Sequence, residues 1–397
     1  MEVRKSNVIS MEERRAHSSN EGTVPKARKH HFDFALFIVL MLICAFGMVM
    51  LFSASYYYAQ SKFGSGFYYV RKQLIFFAIG LAGLLVLSHI KYSIYEKLWL
   101  PAYLALIVLL TLTLLIGKSA NNAQRWLEIG GFQLQPAELA KFVLVIVAAR
   151  LMTVKKNKMG NLLTGVLPLL IYMIIPCVLI ILQPNLSMVI IAGATTFIML
   201  YLGGAKVWHL LLLAVVGGIA VYVLIKIAGY RSSRLEMFFD PWADANGDGY
   251  QVVQSLYAFG NGGLFGQGIN YSRQKLLFLP YRESDFILSI IGEELGFVGC
   301  FALLAAYMFL IWRGIRIAMR CRDRFGSLTA AGITCVLAIQ VLVNVAVVTG
   351  SVPATGQTLP FISSGGTSMI VFMAAMGILL NISRYTEVKA ENEQQEQ

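Results

Sequence analysis

Ionisable side chains inside long apolar runs are expensive to place, so they mark where chemistry is done. Glu138 and Lys141 lie three residues apart just behind Pro136. Proline suits the first turn of a helix, and residues three apart on a helix are neighbours. Glu138 then sits near the positive helix end. The pair is either self-neutralising or the charged floor of a cavity. Asp285, preceded by Ser284, opens a later apolar run. It is either a helix cap or, with an acceptor hydroxyl in reach, a general base. On a helix Asp285, Ser289, Gly292 and Gly296 share one face, a small-residue groove below the carboxylate. Glu293 flanks that face, and Glu294 points away toward another helix.

Cations gather in segments between the apolar runs: Arg125, Arg231, Arg234, Arg273, Lys275 and Arg282. Arginine suits phosphate, so these are either an anion site or scattered solvated charges. Residues 250–259 fit a short helix with Gln251, Gln254 and Ser255 on its polar side. Ser363 belongs to a hydroxyl- and glycine-rich stretch where the last apolar run begins. Such residues either hydrogen-bond a headgroup or allow close helix packing. The chain has no GxxxxGK[ST] loop, no dinucleotide fingerprint and no Ser/His/Asp or metal-ligand spacing. Four of the five cysteines sit in apolar runs and none forms a CxxC pair, so they read as small buried hydrophobes.

The elements that must position these groups follow from composition. Of 397 residues 57% are apolar and 14% charged, against ~25% charged in a soluble domain. This excludes a soluble enzyme, a nucleic-acid-binding domain and a disordered protein. The runs are continuous rather than alternating, which excludes a β-barrel. Runs near 34–52, 74–90, 98–116, 136–153, 163–182, 186–203, 207–228, 286–312, 327–349 and 361–381 predict about ten membrane spans. The fold class is therefore all-α and polytopic. Residues 1–33 read as a disordered basic tail with Asp33 as cap of the first span, and 386–397 as a polar tail. With both termini cytoplasmic, 20 of the 33 Lys and Arg residues fall inside and 10 outside, as the positive-inside rule asks. One outside loop, about 229–284, is far longer than the rest, and loops of that length are usually functional. Glycines at 260, 262, 263, 266 and 268 give it a compact, turning path.

Ordered blocks carry a resemblance. They are Tyr230-Arg231-Ser-Ser-Arg234, Asp240-Pro241-Trp242, Gly249-Tyr250-Gln251-Val-Val-Gln254-Ser255, Gly262-Gly263-Leu264-Phe265-Gly266 and Gln274-Lys275. Ser284-Asp285-Phe286-Ile287 and Gly292-Glu293-Glu294-Leu295-Gly296 follow. Arg125-Trp126-Leu127, Gln135-Pro136-Ala-Glu138-Leu-Ala-Lys141 and the stretch from Gly350 to Ser363 add to them. Together, over about residues 34–385, they resemble the SEDS family (shape, elongation, division and sporulation; FtsW, RodA and SpoVE). Phe52-Ser53-Ala54-Ser55 and the Gly292–Gly296 block look more like the FtsW and SpoVE branch.

The resemblance implies a peptidoglycan glycosyltransferase that polymerises lipid II at the outer membrane face during division or sporulation. It implies Asp285 as the base that deprotonates the acceptor sugar, and Glu138, Lys141, Arg125 and Arg231 as substrate-positioning residues. With the other polar groups above, the candidate substrate-binding set is Arg125, Glu138, Lys141, Arg231, Arg234, Gln254, Ser255, Lys275 and Ser363. A divalent cation (Mg or Mn) is a possible cofactor. A class B penicillin-binding protein, a transpeptidase with one membrane helix, is the implied partner, beside other division or sporulation proteins. A lipid II flippase and a non-catalytic division-complex scaffold are the competing readings. Two departures from the family pattern stand here. Asn185 occupies the place of a usual aspartate in Gln183-Pro184-Asn185, and Glu283 adds like charge beside Asp285.

Overall fold

The computed structural model describes residues 32–120, 123–130, 132–227, 238–276 and 278–386. The expected tails fall almost wholly outside these residues, as do Arg231 and Arg234. The first helix, α1 (Phe34–Phe63), starts where the sequence reading puts it: the Asp33 side chain accepts from the Leu36 amide at 3.0 Å. The same carboxylate accepts from Arg313 at 2.8 Å. The helix does not stop at Phe52. It runs 30 residues to Gly64, whose φ of 71° ends it. At 1.5 Å per residue this is about 45 Å, against ~30 Å of hydrocarbon.

The remaining order is α2 (Tyr68–His89), the short α3 (Ser93–Lys97), α4 (Trp99–Ile116), three strands, α5 (Pro136–Val154) and α6 (Leu167–Leu182, entered through a π-helical turn, Leu162–Val166). Then come α7 (Leu186–Leu202), α8 (Val207–Ile227), α9 (Tyr250–Gly262), α10 (Ile287–Arg320), α11 (Arg324–Val348) and α12 (Gly366–Ser383). Apart from α3 and α9, ten long helices match the ten expected spans among the described residues. Seven are long and apolar enough to cross a membrane, with α7 and the Val207–Val223 part of α8 as shorter apolar helices. The tenth, α5, carries Glu138, Lys141 and Arg150 within its length. The protein is a polytopic all-α membrane protein. Helix α12 is its axis: 83% of its apolar window is buried, against 22% in α2, α4 and α10. It packs along α2, while α11 joins α10 to α5 and α7.

Three features depart from the sequence reading. Between α4 and α5 the chain forms a small antiparallel sheet, β1 (Lys118–Ala120), β2 (Ala123–Ile129) and β3 (Phe132–Leu134). Helix α10 is not continuous: Gly296 has φ 66° and ψ −165°, so Asp285 and Gly296 do not share an unbroken face. That conformation is open to glycine and strained for other residues. A side chain here would also meet backbone, with Leu264 and Gly266 atoms 2.4–2.6 Å from a Cβ.

The third concerns Glu293, Glu294 and Lys275. The loop before α10 does not stand free; both glutamates hold it. Glu293 is buried and accepts from the amides of Arg273 and Gln274, each at 3.2 Å, from the Ser272 hydroxyl and from Asn261. It faces the loop and not a groove, which corrects the reading of its place. Glu294 pairs with Lys275 at 2.7 Å and accepts from Ser53 of α1 at 2.7 Å. Lys275 also donates to Asn270 at 2.6 Å, and only 1% of it is exposed.

Two stability outcomes follow, both read by thermal unfolding in detergent. Gly296→Ala combines a left-handed backbone with overpacking and costs roughly 2–5 kcal/mol. Lys275→Met leaves the Glu294 charge buried alone and costs about 3–5 kcal/mol. Adding Glu294→Gln to it recovers most of that loss, because the charge goes with its partner.

Candidate active site

A cleft of about 530 Å³ opens at one end of the bundle. Its walls are the last turn of α1 (Lys62, Phe63), the first turns of α2 (Tyr68, Tyr69, Lys72, Gln73, Phe76), the sheet (Trp126, Gln133) and the start of α12. Glu138 and Thr358 also line it. Aromatic faces beside cations suit sugars and anions together. Lys62 and Lys72 are exposed here; Lys62 donates to Tyr58 at 2.8 Å, and Lys72 lies over the Tyr68 ring at 6.0 Å.

Lys141 stands beneath Glu138, within 2.9 Å of its carboxylate, and 1% of Lys141 is exposed. Pro136 opens α5 and places Glu138 in its first turn, as the sequence reading has it. The ammonium also donates to the Gln340 side chain and lies 5.0 Å from the Phe372 ring centroid. Gln340 in turn donates to the Thr358 carbonyl at 3.0 Å. The pair is thus self-neutralised and also forms part of the cleft wall, through Glu138. The ammonium is buried, and only the Glu138 end of the pair reaches the cleft.

Asp285 is half-buried in the turn that leads into α10. The cap position falls on Phe286, with no side-chain cap bond, so neither Asp285 nor Ser284 is the helix cap. Ser363 fastens this turn. Its hydroxyl donates to the Ser284 carbonyl at 2.6 Å and accepts from the Leu359 amide at 2.8 Å. The next residue, Ser364, donates its amide to the Glu283 carbonyl at 2.8 Å and lines the cleft. Gln73 donates to the Ser363 carbonyl at 3.1 Å. The Asp285 turn is therefore tied directly to the cleft wall. Asp285 itself is not among the residues that line the cleft; a half-buried carboxylate can take a proton from a hydroxyl brought to it.

The other expected site residues take different places. Arg125 donates to the carbonyls of Gln183 and Pro184 where α6 ends, so two of its nitrogens serve a helix terminus. Ser255 is fully buried, bonded to Ser289 at 2.7 Å and to the Val348 carbonyl at 2.5 Å; it is not on the polar side of α9. Gln254 is half-buried on that helix, and Lys275 serves the loop tether. Arg282 donates to the Leu279 carbonyl at 3.0 Å and stacks on Tyr58 at 4.9 Å. Burial pulls its guanidinium below the usual range, and Glu283 beside it works the other way. Glu283 also lies against the Tyr69 hydroxyl, so its charge does not bear on Asp285 alone. Sequence reasoning missed Gln340, a polar residue inside an apolar run and so open to notice. It also missed Lys62 and Lys72, which nothing in a short connecting segment sets apart.

The chain matches the family described as "Cell cycle protein" (FtsW, RodA, SpoVE) over residues 33–388. It is 36% identical to stage V sporulation protein E of Bacillus subtilis over 357 residues, covering 89% of this chain and 97% of the relative. It is 39% identical to the probable peptidoglycan glycosyltransferase FtsW of Trichlorobacter lovleyi, covering 90% and 94%. A solved structure described as the structural coordination of polymerization and crosslinking by a peptidoglycan synthase complex superposes with a TM-score of 0.73 at 28% identity, covering 89% of this chain and 98% of the other. The rod shape determining protein RodA of Thermus thermophilus gives a TM-score of 0.67 at 27% identity, with 90% and 98% covered. With nearly every described residue inside the matched span, this chain belongs to the FtsW/RodA/SpoVE family of cell cycle proteins.

Proposed function

We propose that this protein is a peptidoglycan glycosyltransferase that polymerises lipid II, with Asp285 as its general base. The observation that carries the reading is the aromatic, lysine-lined cleft fastened through Ser363 and Ser364 to the Asp285 turn. The Asp285 carboxylate takes the proton from the 4-hydroxyl of the acceptor GlcNAc. The freed oxygen attacks the anomeric carbon of the donor MurNAc and the bond to the lipid pyrophosphate breaks, with inversion. The leaving group already carries its charge well, so the need is to stabilise that charge as it develops. Lys62 and Lys72 stand on the cleft wall to do so. Arg125, spent at a helix end, supports the site's frame instead.

Among the described residues no group of three or more His, Cys, Asp or Glu gathers to hold a metal ion. The cleft residues all lie at one end of the helices, which favours polymerisation on one face over passage through both leaflets or a purely scaffolding role. The opposite end carries Lys91, Lys97, Lys155, Lys156, Lys158, Lys206, Arg320, Arg322 and Arg324. By the positive-inside rule that end faces the cytoplasm, with both termini, and the cleft faces outward. A relative in fold coordinates polymerization and crosslinking within a peptidoglycan synthase complex. A class B penicillin-binding protein is the corresponding partner here.

Purified protein with that partner and labelled lipid II tests the reading. Wild type yields glycan strands on a gel, and Asp285→Asn lowers the rate by about 10²–10⁴, the usual worth of a general base. Undiminished polymerisation by Asp285→Asn removes the base. Lys62→Met with Lys72→Met lowers the rate while leaving the fold intact, since both side chains are exposed.

A further inference from the structure

We infer that Asn344 is the positioning residue that sets the Asp285 turn, acting as a two-bond clamp between it and the loop leading to α12. Asn344 lies one turn from the end of α11, and 1% of it is exposed. Its amide nitrogen donates to the Asp285 carbonyl at 2.8 Å and to the Gln357 carbonyl at 2.7 Å. Both of its N–H bonds are therefore spent on backbone, one on each side of the site. The first turn of α10 leaves room for this. The Ser289 amide goes to the Phe286 carbonyl at 3.0 Å, so the Asp285 carbonyl is served from another helix.

The far side of the clamp touches the reacting group. Gly356 precedes Gln357, and a Cβ on it would stand 3.4 Å from the Asp285 carboxylate oxygen Oδ2. By holding Gln357, Asn344 holds the backbone that walls that carboxylate. Asn344 thus fixes the base at its main chain and its wall at once. Ser363 holds the preceding carbonyl, that of Ser284.

The cost of this arrangement is visible. The Asn344 Oδ1 is buried without a hydrogen-bond partner, as is the Gln357 Oε1. A buried polar group lacking a partner is unfavourable, and an apolar residue at 344 would exchange that orphan for two others, the Asp285 and Gln357 carbonyls.

The proposal rests on Asp285 being the base, and the test separates the two. Asn344→Leu keeps the volume, drops both bonds and removes the orphan carbonyl. It is expected to unfold below the wild-type temperature, because the Asp285 and Gln357 carbonyls lose their donor. Its kcat on lipid II, normalised to folded protein, is expected to fall by about 10–100-fold, the penalty of roughly an ångström of misplacement. KM for lipid II is expected to stay within about twofold. Asn344→Ala falls in kcat likewise and unfolds earlier. A folded Asn344→Leu with wild-type kcat, or with a raised KM and unchanged kcat, overturns the clamp. An active Asp285→Asn overturns the base, and the clamp with it; an inactive Asp285→Asn beside an active Asn344→Leu overturns the clamp alone.

Discussion

A charge inside a membrane bundle must meet its opposite, and two Lys–Glu pairs organise this protein around that requirement. Lys141–Glu138 lies within α5, and Lys275–Glu294 joins the long loop to α10. Both lysines are almost wholly buried. Neither pair stands alone. The first extends through Gln340 to Thr358, and the second through Ser53 to α1. Hydrocarbon offers no water to finish an incomplete set of hydrogen bonds, so each chain of partners ends on backbone or on another helix.

These polar chains converge where helices end. The start of α12, the Asp285 turn and the β3–α5 corner are joined by side-chain bonds to carbonyls. Thr367 donates to Gln133 at 2.9 Å, and the Gln135 amide donates to Thr367 at 3.1 Å. Irregular backbone survives at this depth because side chains of neighbouring helices complete it. The cleft is thus a by-product of how four segment ends are sewn to one another. In the proposed reaction that rigidity matters more than the number of charged groups, since positioning and charge stabilisation are the tasks left to the protein.

Much of this was legible in the chain and some was not. Asp33 before an apolar run, and Pro136 with Glu138 and Lys141 behind it, are local signals, and the structure keeps them. Span positions follow from apolar length alone. Lys275 was read as a ligand group because a cation in a loop carries no local sign of its partner; Glu294 lies nineteen residues on, across a fold-back. Ser255 lies on the buried side of its helix because its partners, Ser289 and the Val348 carbonyl, come from distant segments that no local pattern announces. The sheet between α4 and α5 is three short strands whose pairing outweighs weak local preference. Gly296 reads as an ordinary helix glycine until the loop backbone pressed against it is seen.

The overhang of α1 bears on how a lipid-anchored molecule is handled. Thirty residues of helix outreach the hydrocarbon, so Lys62 stands at headgroup height while the lower turns still border acyl chains. A molecule entering between these levels lifts only its saccharide and phosphates. In the proposed reaction the polyprenyl tail of the substrate stays dissolved in oil throughout. Drawing such a tail into water costs about 0.8 kcal/mol for every CH₂ group, and that work never arises.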